Sequence, residues 1–512
     1  MRTSRLAAAL TAAALIFGGV ACDADTTAPR GSGVTSTATA FLSAWQAGDI
    51  DKAAQLTTSP QHARTELRAY RDQTGVTSVS LNAEPAHGAT VPFKATAHIT
   101  YLGTRATWSY TSKLLVVSDP DSGKPRVAWH SNVIHPALPD GGGYTLQPFS
   151  TSPQPVITDQ HGTPLTARDY PGLEQILTQL QHRYQETSDQ ALQIRLSSAG
   201  DSGQGRIITT LNAGDTGRLR TRLDAAVQKA VHKAVLAHPG SSVVVIRPST
   251  GDILAAHTNG TAFDPALEGT QAPGQIFELV TTAALLERQK VTPRTKVTCP
   301  ASTTVAGQTF TNPGGQIAPG ALFADVFTHA CDTGYVQLAD ALSGTDLSGE
   351  ARDVFGLGLD WQTGVTTADG AVPVLDGADK AAAAIGRGEV RLNTLNLASL
   401  AATIQNGSFK QPLFVDPKTS GKTPAKTRRS LPGHAADDLR ALMRAYAHDT
   451  GINGAAFGGV ADQFHDSPDP IVGWFTAFHG DLAVAATAPE ETEQPQTARA
   501  VVRAVIDAAA TD

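Results

Sequence analysis

The sequence predicts an α+β multidomain chain: a helix-then-strand α+β cone, a small linker module, and a larger α/β/α sandwich in which helices cover an antiparallel sheet. Three observations carry this. The chain has 512 residues, more than one hydrophobic core organises, and size alone implies about two to four domains. Apolar residues make up 41% and charged residues 17%, a composition that supports packed cores and excludes a disordered chain. The hydrophobic period also changes along the chain, from helical to alternating and back. With 40 basic residues against 47 acidic ones, the net charge is −7. No basic stripe is visible, which excludes nucleic acid as a partner class.

The first 22 residues read as a targeting segment. Arg2 and Arg5 precede an uncharged run from Leu6 to Ala21, 16 residues long and short of the ~20 needed to span a bilayer as a helix. Gly19-Val20-Ala21-Cys22 resembles a bacterial lipoprotein cleavage box, with Gly19 where such boxes usually carry Leu. On that reading the Cys22 thiol takes a lipid anchor; the alternative is an ordinary signal peptide with an incidental cysteine. Both readings place the mature protein outside the cytoplasm, on the cell membrane or secreted. Residues 23–33 are small and polar, a tether. In an oxidising compartment Cys299 and Cys331, 32 residues apart, are expected to pair, the alternative being two buried free thiols.

The first domain is expected over 34–140. Ala38, Phe41, Leu42 and Trp45 recur at helical spacing, Gly48 stops that helix, and Asp49 caps a second one carrying Ile50, Ala53, Ala54 and Leu56. The stretches 95–101, 106–117 and 127–134 then read as strands. Pro139-Asp140-Gly141-Gly142-Gly143 marks a boundary, and residues 150–208 are expected to form a linker or dimerisation-like module. The last domain is expected over 209–512. Leu219, Leu223, Val227, Val231 and Val235 suggest one helical face ending at Gly240. Strand 242–246 turns through Pro248-Ser249-Thr250-Gly251 into 252–256. An all-helical middle follows, and then a hairpin of 472–478 and 482–488 around His479-Gly480-Asp481. A final helix packs Val501, Val502, Val505 and Ile506 back on the sheet.

Several motifs then point to one family. Ala272-Pro273-Gly274-Gln275-Ile276-Phe277-Glu278-Leu279 resembles the P-G-S-x-F-K segment of penicillin-binding proteins, and Ala330-Cys331-Asp332 stands where they have Ser-x-Asn. Ala384-Ile385-Gly386-Arg387-Gly388-Glu389-Val390 matches their A-I-G-Q-G-E-V except at Arg387. The segment from Val156 to Leu165 resembles their linker strand. Val127-Ala128-Trp129 through His135-Pro136-Ala137-Leu138 is similar to the signature that closes the nuclear-transport-factor-like domain of some members. The resemblance is to class B penicillin-binding proteins, and it implies a transpeptidase-like (β-lactamase-like) fold for 209–512.

The family's reaction, as the resemblance implies it, is acyl transfer. A serine attacks a D-alanine carbonyl or a β-lactam ring, a lysine one helical turn on shares its proton, Ser-x-Asn relays a proton, and a Lys-Thr-Gly strand binds the substrate carboxylate. Here Gln275 replaces the serine and Glu278 the lysine. Ala330 and Asp332 replace Ser and Asn, and the third motif aligns with Val460-Ala461-Asp462-Gln463-Phe464-His465-Asp466. A side-chain amide is a poor nucleophile, and loss of a nucleophile alone costs ~10⁶ in rate. Cys331, Thr281 and Thr282 are nucleophilic types near these positions, but none has a His or Lys base beside it in the sequence.

The expectation is a catalytically inactive homologue, a pseudoenzyme without cofactor. It is expected to act as partner or regulator in peptidoglycan synthesis, reaching the membrane through its anchor and meeting cell-wall synthesis proteins or peptidoglycan. Two alternatives stay open: a non-catalytic module binding peptidoglycan fragments or another ligand, and an active transpeptidase with a non-standard nucleophile. Glu278, Asp332, Asp462, His465 and Asp466 are also a speculative divalent-cation set. Against it stands a solvated acidic loop with Glu278 paired to an arginine.

Overall fold

The computed structural model describes residues 31–187, 190–198, 205–258, 264–315, 317–461 and 471–509. The expected signal segment and Cys22 therefore lie outside the described residues. The chain divides into two compact units, one of residues 1–151 with 190–215, the other of 152–189 with 216–512.

In the first unit, helices Gly31–Gln46, Ile50–Gln55 and Pro60–Thr74 precede an antiparallel meander of Val76–Ala83, Thr90–Tyr101, Thr104–Ser118 and Pro125–Val127. The Asp49 carboxylate caps the second helix by accepting the Lys52 amide at 3.1 Å. Phe41, Leu42 and Trp45 from the first helix meet Leu67 and Tyr70 from the third and Phe93, Trp108 and Leu114 from the sheet. The stretch 127–134, expected as a strand, is a strand only as far as Val127; Ser131–Val133 is a 3-10 turn. The reason lies in its neighbour: His135 packs against Trp108 and Tyr110, with ring centroids 5.0 and 4.7 Å apart. Its Nδ1 accepts the Ala137 amide at 3.2 Å. The chain must turn inward to bury that ring, so it cannot continue along the sheet edge.

Residues 150–208 do not form a module of their own. Leu192, Ile194 and Leu196 alternate along Ala191–Ser198 and need a core to face. That strand pairs with Tyr144–Thr151 throughout, from Tyr144 opposite Ser198 to Thr151 opposite Ala191, and with Arg206–Asn212 on its other edge. Ile194 and Leu196 thereby join the first core. Residues 152–189 instead give Ile157, Leu165, Tyr170, Leu173, Ile176 and Leu180 to the core of the second unit. Their short strand Val156–Thr158 runs parallel to Arg218–Arg220. This pairing also corrects the expected helical face: Leu219 lies in a strand and Leu223 before the helix. The helix is Ala225–Ala237, capped by the Asp224 carboxylate, which accepts the amides of Ala226 and Val227.

The second unit is built on five antiparallel strands in the order Ile253–His257, Ser242–Ile246, Leu482–Glu490, Ile471–His479, Ala455–Ala461. Helices Ala225–Ala237 and Gln496–Ala509 cover one face. Val231, Val235, Val501, Val502, Val505 and Ile506 pack there against Val243, Val245, Phe475 and Val484. Helices Glu278–Glu287, Thr394–Asn406 and Gly433–Thr450 lie on the other side. With both faces covered, all seven residues of Ala455–Ala461 are buried. The middle is not all-helical. The ribbon Lys296–Cys299 with Ala318–Leu322, and the hairpin Ser302–Val305 with Gln308–Thr311, interrupt it. Ala306 and Gly307 turn that hairpin, both at positive φ, as a tight two-residue turn requires. Among the described residues no helix is long and apolar enough to cross a membrane.

Two histidines link this packing to pH. Burial, with a smaller push from Arg206, lowers His135 to about 4. Burial, with His232, lowers His257 to about 4. Both are neutral in the fold at pH values where an unfolded histidine, near ~6.5, binds a proton. Their stabilising contribution is therefore present above about pH 6.5 and lost as pH falls toward 4. The urea midpoint should drop over that window, and the drop should be shallower in His257→Phe; equal midpoints at pH 7 and 4.5 would contradict it.

Candidate functional site

The chain enters the site through a 3-10 turn, Gly274–Phe277, that leads directly into helix Glu278–Glu287. Gly274 has φ +60, and a Cβ there would lie 2.1 Å from the Val460 carbonyl oxygen, so only glycine lets the turn lie this close to the edge strand. Gly459 plays the matching part on that strand, since a Cβ on it would lie 2.6 Å from the Gln275 Cβ. Gln275 is consequently buried, 7% exposed. Its Nε2 donates to the Ala330 carbonyl and to the Asp332 carboxylate, each at 3.0 Å.

Asp332 opens helix Asp332–Leu338 and has no exposure to solvent. Its second oxygen accepts from the Arg387 guanidinium at 2.8 Å. Gln275, Asp332 and Arg387 thus form a continuous chain of amide, carboxylate and guanidinium. The turn before Asp332 is held from several sides. Ala330 has φ +48, an uncommon state for a residue with a Cβ. Cys331 is disulfide-bonded to Cys299 with Cα atoms 6.1 Å apart. The Thr333 amide donates to Asn312 Oδ1 at 2.9 Å, and the Thr333 hydroxyl to the Pro300 carbonyl at 2.8 Å.

Glu278 is fully buried, and neither carboxyl oxygen has a hydrogen-bond partner among the described residues. Burial first, then the Asp332 charge, push it well above the usual carboxylate range, and Arg387 offsets this only in part. Burial without a partner thus favours the protonated form of Glu278. The expected ion pair of Glu278 with an arginine does not form among the described residues: Arg387 bonds Asp332 and reaches Glu278 only through its charge. Thr281 donates to the Ala384 carbonyl at 2.7 Å, and the Thr282 hydroxyl lies 2.8 Å from the Tyr335 hydroxyl, both buried.

The structure thus brings Gln275, Glu278, Ala330 and Asp332 together. Asp462, Gln463, Phe464, His465 and Asp466 lie outside the described residues. Among the described residues no group of three or more His, Cys, Asp or Glu side chains could hold a metal. Of the proposed cation ligands, Asp332 is already bonded to Gln275 and Arg387, and burial shifts Glu278 toward its protonated form, a poor ligand state. Arg387 is the participant that sequence reasoning missed. The available signal was its place as the single departure from the A-I-G-Q-G-E-V pattern.

Residues 241–507 match the penicillin binding protein transpeptidase domain, and residues 34–142 match the NTF2-like N-terminal transpeptidase domain. The first match covers more than half of the chain, so the protein belongs to the penicillin-binding protein transpeptidase family, class B. The chain is similar to the peptidoglycan D,D-transpeptidase PbpA of Mycolicibacterium smegmatis, 29% identical over 292 residues that cover 46% of this chain and 58% of that protein. It is similar also to PbpA of Mycobacterium tuberculosis, 27% identical over 245 residues, 41% of this chain and 48% of that one. The chain thus spans about half the length of the curated relatives it matches. Among solved structures, PBPA from M. tuberculosis aligns with a TM-score of 0.52 at 25% identity, over 58% of this chain and 81% of that one. Pseudomonas aeruginosa PBP2 aligns with a TM-score of 0.55 at 18% identity, over 70% and 96%, a likeness of fold alone.

The Arg387–Asp332 pair can be tested directly. Arg387→Met leaves a buried carboxylate short of a cation and should lower unfolding stability by about 3–5 kcal/mol. Adding Asp332→Asn should recover most of that loss in urea denaturation; a double variant as unstable as the single one would refute the pairing.

Proposed function

We propose that the protein is a cell-envelope member of its family that has given up acyl transfer and acts in peptidoglycan synthesis as a partner or regulator. The observation that carries this reading is the use made of Gln275. At the position of the family's nucleophile stands an amide whose nitrogen is committed to a carbonyl and a carboxylate. Glu278, one turn later, is a buried carboxyl pushed toward its protonated form and offers neither the positive field nor the amine base of a lysine. Asp332 faces Arg387 and has no amide to give a substrate carbonyl.

The same groups support a structural use of the cleft. Where the family keeps a nucleophile and a relay, this chain has an amide and an ion pair that hold the 330–333 turn, and where it keeps a base there is a buried carboxyl group. An extracytoplasmic location, with attachment through Cys22, belongs to the same proposal and rests on the sequence of the first 22 residues. The role in peptidoglycan synthesis rests on the likeness to the two PbpA proteins.

The test is incubation of the full chain with a fluorescent penicillin, read by denaturing gel and intact mass. M. tuberculosis PBPA, whose structure is known as a ceftriaxone acyl-enzyme complex, serves as the labelled control. No covalent adduct is expected, with the control labelled in parallel. A stoichiometric adduct would overturn the reading, and the peptide carrying the added mass would identify the nucleophile.

A further inference from the structure

On the second unit, away from Gln275 and Asp332, lies a cavity of about 630 Å³, a size typical of small-molecule sites. One wall is the end of helix Glu174–Arg183 with Arg183 and Tyr184; the facing walls are the 361–365 loop and the 419–422 segment. Arg183 and Lys422 both line it, and among the described residues neither makes an ion pair or a side-chain hydrogen bond. Among the described residues Glu186 is the one acidic residue on the wall. Two unpaired cations at one cavity stand out in a chain of net charge −7.

The surroundings strengthen the sign. Between Lys410 and Arg429 the sequence has six basic residues and a single acid, Asp416. Asp416 is taken by Arg222 at 2.5 Å, and Arg429 is taken by Glu350 at 2.8 Å and by Glu287. Lys422 is placed by local geometry. Gly421 closes the preceding turn in the left-handed region at φ +66, and the Lys422 amide donates to the Ser420 hydroxyl at 3.3 Å. The rest of the lining is of two kinds. Trp361 and Tyr184 supply aromatic walls, while Thr419, Ser420 and Gln362 supply hydroxyls and an amide. Trp361 is held by its indole nitrogen donating to the Gly356 carbonyl at 2.7 Å, so its ring is a fixed surface.

Cations for an anion, hydroxyl and amide groups for hydroxyl partners, and buried aromatic rings backing the wall define a ligand class. We propose that this cavity binds a small acidic saccharide, a polyhydroxylated molecule bearing a carboxylate or a phosphate, with its anion between Arg183 and Lys422. The proposal is independent of whether the protein carries out acyl transfer.

The test is calorimetric titration of the full chain at low salt with glucuronate, glucose 6-phosphate and uncharged glucose. At least one acidic sugar should bind, and glucose should bind about tenfold or more weakly. Whichever of the two acids binds tighter identifies the anion. Arg183→Gln and Lys422→Gln should each weaken that binding by about tenfold. Both side chains are exposed, so thermal midpoints should stay unchanged, and Lys410→Gln, outside the cavity, should bind as the parent does. The proposal fails if glucose binds as well as the acids, if nothing binds up to about 10 mM, or if the Arg183→Gln/Lys422→Gln double variant binds normally.

Discussion

A carboxylate without exposure to water must have its charge answered inside the protein, and Asp332 is where this fold meets that demand most directly. Arg387 supplies the cation and Gln275 an amide N–H, so both oxygens are satisfied. The turn that carries Asp332 is fixed by a disulfide, by Gln275 on the Ala330 carbonyl, and by Thr333 on Pro300 and Asn312. The substitutions at 275, 332 and 387 are thus chemically interdependent. An aspartate at 332 would be costly without an arginine at 387, and the amide at 275 reaches the same carboxylate. Glu278 meets the same problem without a bonded partner among the described residues, and burial shifts it toward its protonated form.

The sheet makes this closeness possible. Ala455–Ala461 is covered on both faces and meets the Gly274–Phe277 turn along its edge. Glycines at 274 and 459 remove the Cβ atoms that would separate the two segments, and Gly386 lets a third segment approach the turn, since a Cβ on it would lie 2.0 Å from the Gly274 carbonyl. With the backbones this near, the side chain at 275 has little room to swing, and its bonds to Ala330 and Asp332 follow from its position.

Legibility from sequence varied by the range over which each feature is decided. The first helix, the Asp49 cap, the 242–256 hairpin and the last hairpin and helix were readable because their periods and caps are local. The assignment of 150–208 was not readable. Its strands pair outward, Ala191–Ser198 with Tyr144–Thr151 and Val156–Thr158 with Arg218–Arg220, and an apolar run does not say which distant strand it meets. The helix expected from Leu219 failed for the same reason: Leu219 and Leu223 keep helical spacing with Val227, but a parallel pairing claims Leu219 and Asp224 starts the helix later. The two ribbons in the middle of the second unit were hidden by short strands of four or five residues, which carry too little period to register.

What the sequence by itself determined is chemical identity: an amide at 275, an acid at 278, no hydroxyl at 330 and a carboxylate at 332. These are properties of single side chains and hold in any fold. What only the tertiary structure decided is which charges meet. Asp332 bonds Gln275 across 57 positions and Arg387 across 55, while Glu278, expected to take the arginine, has no ion pair among the described residues and is shifted by burial toward its protonated form. Spacing cannot resolve that choice, because a buried charge selects its partner by distance and desolvation in the folded core, and both are set by packing rather than by order along the chain.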